Sequence, residues 1–125
     1  MDTETLVDGQ LQEGEKLLQT LKTSGFPLTA ACWVLTTIDG RWYFYIASPV
    51  VETEGLAAAL GKVYAELNKR PRRWLDRSEI RLIESTHPIA ADAVTYGSDA
   101  VGTYFQGRKL GNLIVDEAYL YPTDF

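Results

Sequence analysis

The segment RWYFYIAS, residues 41–48, limits the possible folds of this chain more than any other. Its aromatic and β-branched side chains favour a strand. Successive side chains of a strand point to opposite sides. Trp42, Phe44 and Ile46 therefore share one side, and Tyr43 and Tyr45 share the other. Both sides are apolar or aromatic. A sheet built on such a strand needs cover on each face, from helices of its own chain or from a second chain.

The preceding segment, LTAACWVLT at 28–36, has the same character, and TIDG separates the two. Asp39-Gly40 is a good turn signal, so the pair reads as a β-hairpin. Before it, Leu6, Leu11, Leu17, Leu18 and Leu21 recur at helical spacing and predict a helix over 5–24, with Asp2 or Thr3 as cap. Ser24-Gly25-Phe26-Pro27 stops it: Gly25 takes the left-handed conformation, Phe26 folds back on Leu21, and Pro27 cannot continue a helix. Gly9 and Gly14 each weaken this helix by up to about 1 kcal/mol, which suggests that something packs closely against it.

A second helix is expected over 54–69, with Leu56, Leu60, Val63, Tyr64 and Leu67 as its stripe, Glu52 or Thr53 near the cap and Pro71 as its end. SEIRLIES (78–85) reads as a short strand. Thr86 is expected to cap a two-turn helix over 88–96, with Pro88 in the first turn, where a missing N–H costs nothing. The remainder reads as two antiparallel strands, VGTYFQ and KLGNLIVDEAYLYP, joined by a turn at Gly107, the second bulged at Gly111. The order α-β-β-α-β-α-β-β predicts one α+β domain spanning 1–125, with three helices and a single mixed or mostly antiparallel sheet of about five strands.

Charge narrows the function classes. The chain carries a net −5, but unevenly: residues 1–68 hold −5, residues 69–81 hold +4, and residues 82–125 hold −4. An acidic chain is a poor general binder of nucleic acid, whose non-specific affinity comes from neutralising many phosphates. The longest nearly uncharged run, FPLTAACWVLTTI, has thirteen residues and is too short to span a bilayer. The opening MDTETLVDGQ is acidic and polar, unlike a signal peptide, so the expected location is cytoplasmic, with no membrane partner.

Chemistry-bearing patterns are sparse. No phosphate-binding glycine loop, no dinucleotide fingerprint and no G-x-S-x-G occurs. The single cysteine, Cys32, sits in AACWVLT and reads as a small core residue. His87, the single histidine, reads as a local helix-start residue, since a zinc site would need more nitrogen or sulfur ligands. Asp116 and Glu117 are adjacent on a strand, so they can meet one ion only where that strand is bulged. No catalytic residue, metal site or cofactor is assigned.

Two candidate surfaces remain. The basic stretch NKRPRRWLDR offers Arg70, Arg72, Arg73 and Arg77, with Trp74 as a stacking face, for an anion or an acidic partner. Helix-end cations and a Trp74-Leu75 plug, with Asp76 and Glu79 at hand to pair, account for the same residues. The second surface is aromatic: Trp33, Tyr43, Tyr45, Tyr104, Tyr119 and Tyr121, drawn as one face of the sheet, suit a homodimer interface or a pocket wall.

The leading expectation is a non-catalytic interaction or ligand-binding domain that pairs with itself. A second is a small enzyme acting on a phosphorylated or anionic substrate, with the arginines at 70–77 binding it and Glu79, Glu84, Asp116 or Glu117 moving the proton. The third is a nucleic-acid accessory protein.

Overall fold

A computed structural model describes residues 8–36, 38, 40–69, 75–97 and 102–123. The elements are α1 (Asp8–Thr23), β1 (Ala30–Thr36), β2 (Trp42–Ser48), α2 (Val50–Glu54), α3 (Leu56–Leu67), β3 (Ile80–Glu84), α4 (Pro88–Tyr96), β4 (Thr103–Leu110) and β5 (Leu113–Leu120), with a 3-10 turn at Arg77–Glu79 before β3. The five strands form one sheet in the order β3-β2-β1-β5-β4. Pairing is antiparallel except between β2 and β3, which are parallel. The class is α+β with a mixed sheet, as the sequence suggests.

Parallel neighbours need a crossover, and α2 and α3 supply it. The helix expected over 54–69 corresponds to α3, and a short further helix, α2, precedes it. Gly55, at φ 92°, breaks the chain between them, a conformation that glycine adopts without strain. Glu52 of α2 accepts from the backbone N–H and hydroxyl of Ser85, tying α2 to the end of β3.

Each face of the sheet carries a buried apolar cluster. On the front, Trp33, Leu35, Trp42, Phe44 and Ile46 meet Leu17, Leu18 and Leu21 of α1 and Ala59, Val63 and Leu67 of α3. On the back, Cys32, Val34, Leu110, Val115, Ala118 and Leu120 meet Ile89, Ala90 and Ala93 of α4. Fully burying a large apolar side chain contributes roughly 1.5–3 kcal/mol, so each face is a substantial source of stability.

Gly14 explains why α1 tolerates a poor helix former. A methyl group there would run into the Tyr121 hydroxyl and lie 3.1 Å from Trp33 Nε1 and 3.2 Å from Phe44 Cζ. The helix rests with its backbone on an aromatic cluster. Trp33 and Phe44 stack at 4.9 Å, and Phe44 meets Tyr121 edge-on at 5.7 Å. The Trp33 indole N–H donates to the Tyr121 hydroxyl at 3.0 Å, which donates onward to the Leu11 carbonyl at 2.7 Å. The helix stop follows the expected pattern: Gly25 has φ 89°, and the Phe26 N–H donates to the Leu21 carbonyl at 2.9 Å.

Three local readings are corrected. The cap of α4 is His87, whose Nδ1 accepts from the Ile89 N–H at 3.0 Å, rather than Thr86. The turn between β4 and β5 lies at Gly111-Asn112, not at Gly107. Leu110 and Leu113 pair directly across it, with Gly111 at φ 61°. The irregularity in β5 lies at Asp116, not at Gly111: Leu35 faces Glu117 while Thr36 faces Val115. Gly107, at φ 57°, sits across from that point within β4 and so remains inside the strand. Gly111 is needed in the turn for a second reason, since a Cβ there would press 2.6 Å from the Ile89 nitrogen of α4.

Gly14→Ala should lower stability by about 1–3 kcal/mol through overpacking, although alanine is the better helix former by about 1 kcal/mol. Tyr121→Phe strips the buried Trp33 N–H of its partner and should cost about 1–3 kcal/mol. The double variant should lose less than the sum, because the new methyl is aimed at the hydroxyl that has gone. Urea denaturation of the four proteins measures this, and strictly additive losses would overturn the close-approach account.

Candidate functional site

Strand register decides which aromatic residues share a face. Trp33 lies opposite Phe44 on β2 and opposite Tyr119 on β5. Tyr104 on β4 lies opposite Tyr119. Tyr121, just past β5, continues this row, its N–H donating to the Ala31 carbonyl at 3.0 Å. Trp33, Tyr104, Tyr119 and Tyr121 are therefore front-face residues. Tyr43 lies opposite Val34 and Tyr45 opposite Cys32, which puts both on the back. The six aromatics divide between two faces instead of sharing one.

The two groups also differ in accessibility. Trp33 and Tyr121 are buried beneath α1. Tyr119 is half-buried and meets Tyr121 edge-on at 5.2 Å. Tyr104 is 50% exposed. On the back, Tyr45 packs against the α4 cluster, and Tyr43 lies beneath the Arg81 guanidinium, 4.3 Å from its ring centroid.

Arg70, Arg72, Arg73 and Trp74 lie outside the described residues. Arg77 is described, and its guanidinium stacks 4.9 Å over the ring of Tyr64 on α3. Leu75 is buried in the front core, the plugging role expected of it, and its N–H donates to the Glu13 carboxylate at 3.1 Å. Asp76 and Glu79 form a reciprocal capping box around the 3-10 turn: Asp76 accepts from the Ser78 N–H at 3.1 Å, and Glu79 accepts from the Asp76 N–H at 2.8 Å. Arg77 and Arg81 thus stack on tyrosines of different layers, α3 in front and β2 behind.

The carboxylates considered for proton transfer do not gather. Glu79 and Glu84 belong to the β3 edge, while Asp116 and Glu117 lie on β5, three strand positions away. At about 4.8 Å per strand that is roughly 14 Å. Among the described residues no three His, Cys, Asp or Glu side chains come together as metal ligands. Cys32 is buried, and burial pushes its thiol up to about 12, so the nucleophilic thiolate is scarce at neutral pH. Burial likewise raises the phenol of Tyr121 well above the usual tyrosine range, with Trp33's donated hydrogen bond opposing. Tyr119 is raised less strongly, by burial and then by the charge of Glu15.

What remains accessible is the outer part of the front face, formed by β4 and β5. Ile114 is 69% exposed there, across from Lys109 and five residues along β5 from Tyr119, the partner of Tyr104. Lys109 pairs with Ile114, and Gln106 pairs with Glu117, so these side chains share the same surface. Sequence reading found Tyr104 but missed Ile114. The alternation within LIVDEAYL would have placed it had the bulge at Asp116 been recognised. β4 is also an edge strand, with one side of its backbone unpaired among the described residues.

The chain matches no family model, no curated protein and no solved structure. No described helix is long and apolar enough to cross a membrane.

The burial of Cys32 sets an alkaline limit on stability. Between about pH 9 and 12 the unfolded chain releases the thiol proton while the folded chain keeps it. Stability is fully present below that interval and falls as pH rises through it, by up to about 1.4 kcal/mol per unit from this group. Cys32→Ala should flatten the slope of urea midpoint against pH across this interval. An unchanged slope would mean that the thiol is not held away from water.

Proposed function

We propose that this chain is a non-catalytic interaction domain of the cytoplasm that pairs with a second copy of itself through the outer front face of β4 and β5. The supporting observation is that Tyr104 and Ile114 are exposed at separate points of the outer front face, beyond the core that α1 and α3 cover, with β4 at an edge unpaired among the described residues. Exposed aromatic and aliphatic side chains on a flat sheet are costly to leave in water and typical of the centre of an interface.

The composition of the patch suits a two-fold contact. Such an interface places the same surface on both partners, so it must be complementary to itself. Tyr104, Tyr119 and Ile114 supply apolar area, with one cation, Lys109, and one anion, Glu117. Across a two-fold axis each lysine can meet the partner's glutamate.

The two sheet edges differ in the same sense. β3 has five residues and carries exposed Arg81 and Glu84. Charge and shortness are common protections against edge pairing. β4 has eight residues, and its first half, Thr103–Gln106, has neither a charge nor a proline.

Sedimentation velocity over a range of protein concentrations tests this reading. The wild-type chain should sediment as a dimer that dissociates on dilution. Tyr104→Lys with Ile114→Lys should weaken association at least tenfold, about 1.4 kcal/mol, while leaving the monomer's urea midpoint nearly unchanged. A wild-type chain that stays monomeric at the highest concentration reached overturns the proposal.

A further inference from the structure

A cleft of about 530 Å³ opens between the end of α1, α2 and α3, away from the β4–β5 surface. Its apolar wall includes Phe26, Pro27, Pro49 and Val50, and its polar groups include Glu54, Lys62 and Glu66. That volume and that mixture are typical of small-molecule sites. The fully buried Ser48 braces the floor, donating to the Pro27 carbonyl at 2.7 Å and accepting from the Val50 N–H at 3.1 Å.

The charged lining of the cleft is two carboxylates, Glu54 and Glu66, against one lysine, Lys62, and the last turn of α1 adds Lys22 nearby. The C-terminal ends of α1, α2 and α3 all contribute to its wall, through Ser24 and Gly25, through Glu54, and through Glu66. Helix C-termini carry partial negative charge and favour cations. The last turn of α3 contains Glu66 and no basic residue, so it reinforces that potential. Lys62 reaches one oxygen of Glu54 at 2.7 Å, and Lys69 reaches one oxygen of Glu66 at 2.8 Å. No donor among the described residues bonds the second oxygen of either carboxylate. The Glu66 side chain is only 12% exposed, and it lines both this cleft and a neighbouring polar one that holds Lys69.

We infer that this cleft binds a small organic cation with an apolar body, an arylalkyl or alkyl amine, independently of the self-association proposed above. The ammonium donates to the open oxygens of Glu66 and Glu54, and the apolar body lies against Phe26, Pro49 and Val50. Nothing covalent is involved. The sign is opposite to the anionic ligand that the arginine-rich stretch invites, and the two sites do not overlap.

Phenethylamine is a suitable probe, with 3-phenylpropionate as its anionic counterpart and a capped lysine peptide as a cation presented by protein. Amide chemical-shift titrations report both affinity and place. Phenethylamine should shift the amides of Phe26, Val50 and Glu66 and bind at least tenfold more tightly than 3-phenylpropionate. Glu66→Gln should weaken it at least fivefold. Glu54→Gln, a change at an exposed position that leaves folding intact, should weaken it at least twofold. Equal affinity for amine and carboxylate, shifts confined to other residues, unaltered binding in both glutamine variants, or no binding up to the solubility limit each overturns the inference. A lysine peptide that bound as tightly would also overturn it, in favour of a protein partner.

Discussion

The whole structure depends on keeping water from both sides of β1. All seven residues, Ala30–Thr36, are buried. A central strand of this kind cannot be stabilised by one helical layer. The front has α1 and α3, and the back has α4. Trp33 is the point at which the front assembles. Its ring stacks on Phe44, and its N–H is satisfied only because Tyr121, from the last part of the described chain, reaches under α1 to accept it. A buried indole N–H without a partner would cost about 1–3 kcal/mol. That hydrogen bond and the one Tyr121 donates to the Leu11 carbonyl together tie the first described helix, the central strand and the end of β5 to one another.

Close approach on each side is made possible by small residues. Gly14 lets α1 settle on the aromatic cluster, and Ala90, Ala93 and Gly97 do the same for α4 on the back. A Cβ at Gly97 would lie 2.6 Å from the Ala93 carbonyl oxygen and 3.0 Å from that of Tyr121. Asp92 of α4 then accepts from the Gly111 N–H at 2.6 Å, pinning the β4–β5 turn beneath the helix. These contacts join elements distant in sequence, which is why they confer a specific arrangement and not mere compactness.

How far the sequence could be read follows from which forces are local. The hairpin, the stop at Gly25 and the two-sided character of Trp42–Ser48 follow from nearest-neighbour chemistry and periodicity, and they stand as expected. Gly14 was legible as a site of close packing because glycine within a helix needs a reason. The short helix Val50–Glu54 was less legible, since the apolar stripe through Leu56, Leu60 and Val63 begins only after Gly55 and draws the helix start there. The errors at Gly107, Gly111 and Asp116 share one cause. Three irregularities within ten residues admit several registers, and only pairing with β1 selects among them. Grouping six aromatics on one face failed for the same reason: one residue of register exchanges the faces, and the hairpin pairs Trp33 with Phe44 instead of with a tyrosine.

The cover on the two faces is unequal. A nine-residue helix such as α4 is about 14 Å long and about 10 Å wide. Five strands at about 4.8 Å apart span roughly 19 Å between the outer strand axes. One such helix leaves part of the back uncovered, and there the sheet supplies its own cover: Arg81 lies over Tyr43, and its guanidinium is steadied by the carbonyl oxygens of Ser78 and Ile80 at 2.9 and 3.2 Å. At the opposite edge of the front no comparable device protects Tyr104 and Ile114 among the described residues. Among the described residues the chain thus covers one exposed aromatic internally and not the other. In a fold whose core is otherwise closed on both sides, that edge is one place where large apolar side chains among the described residues meet water.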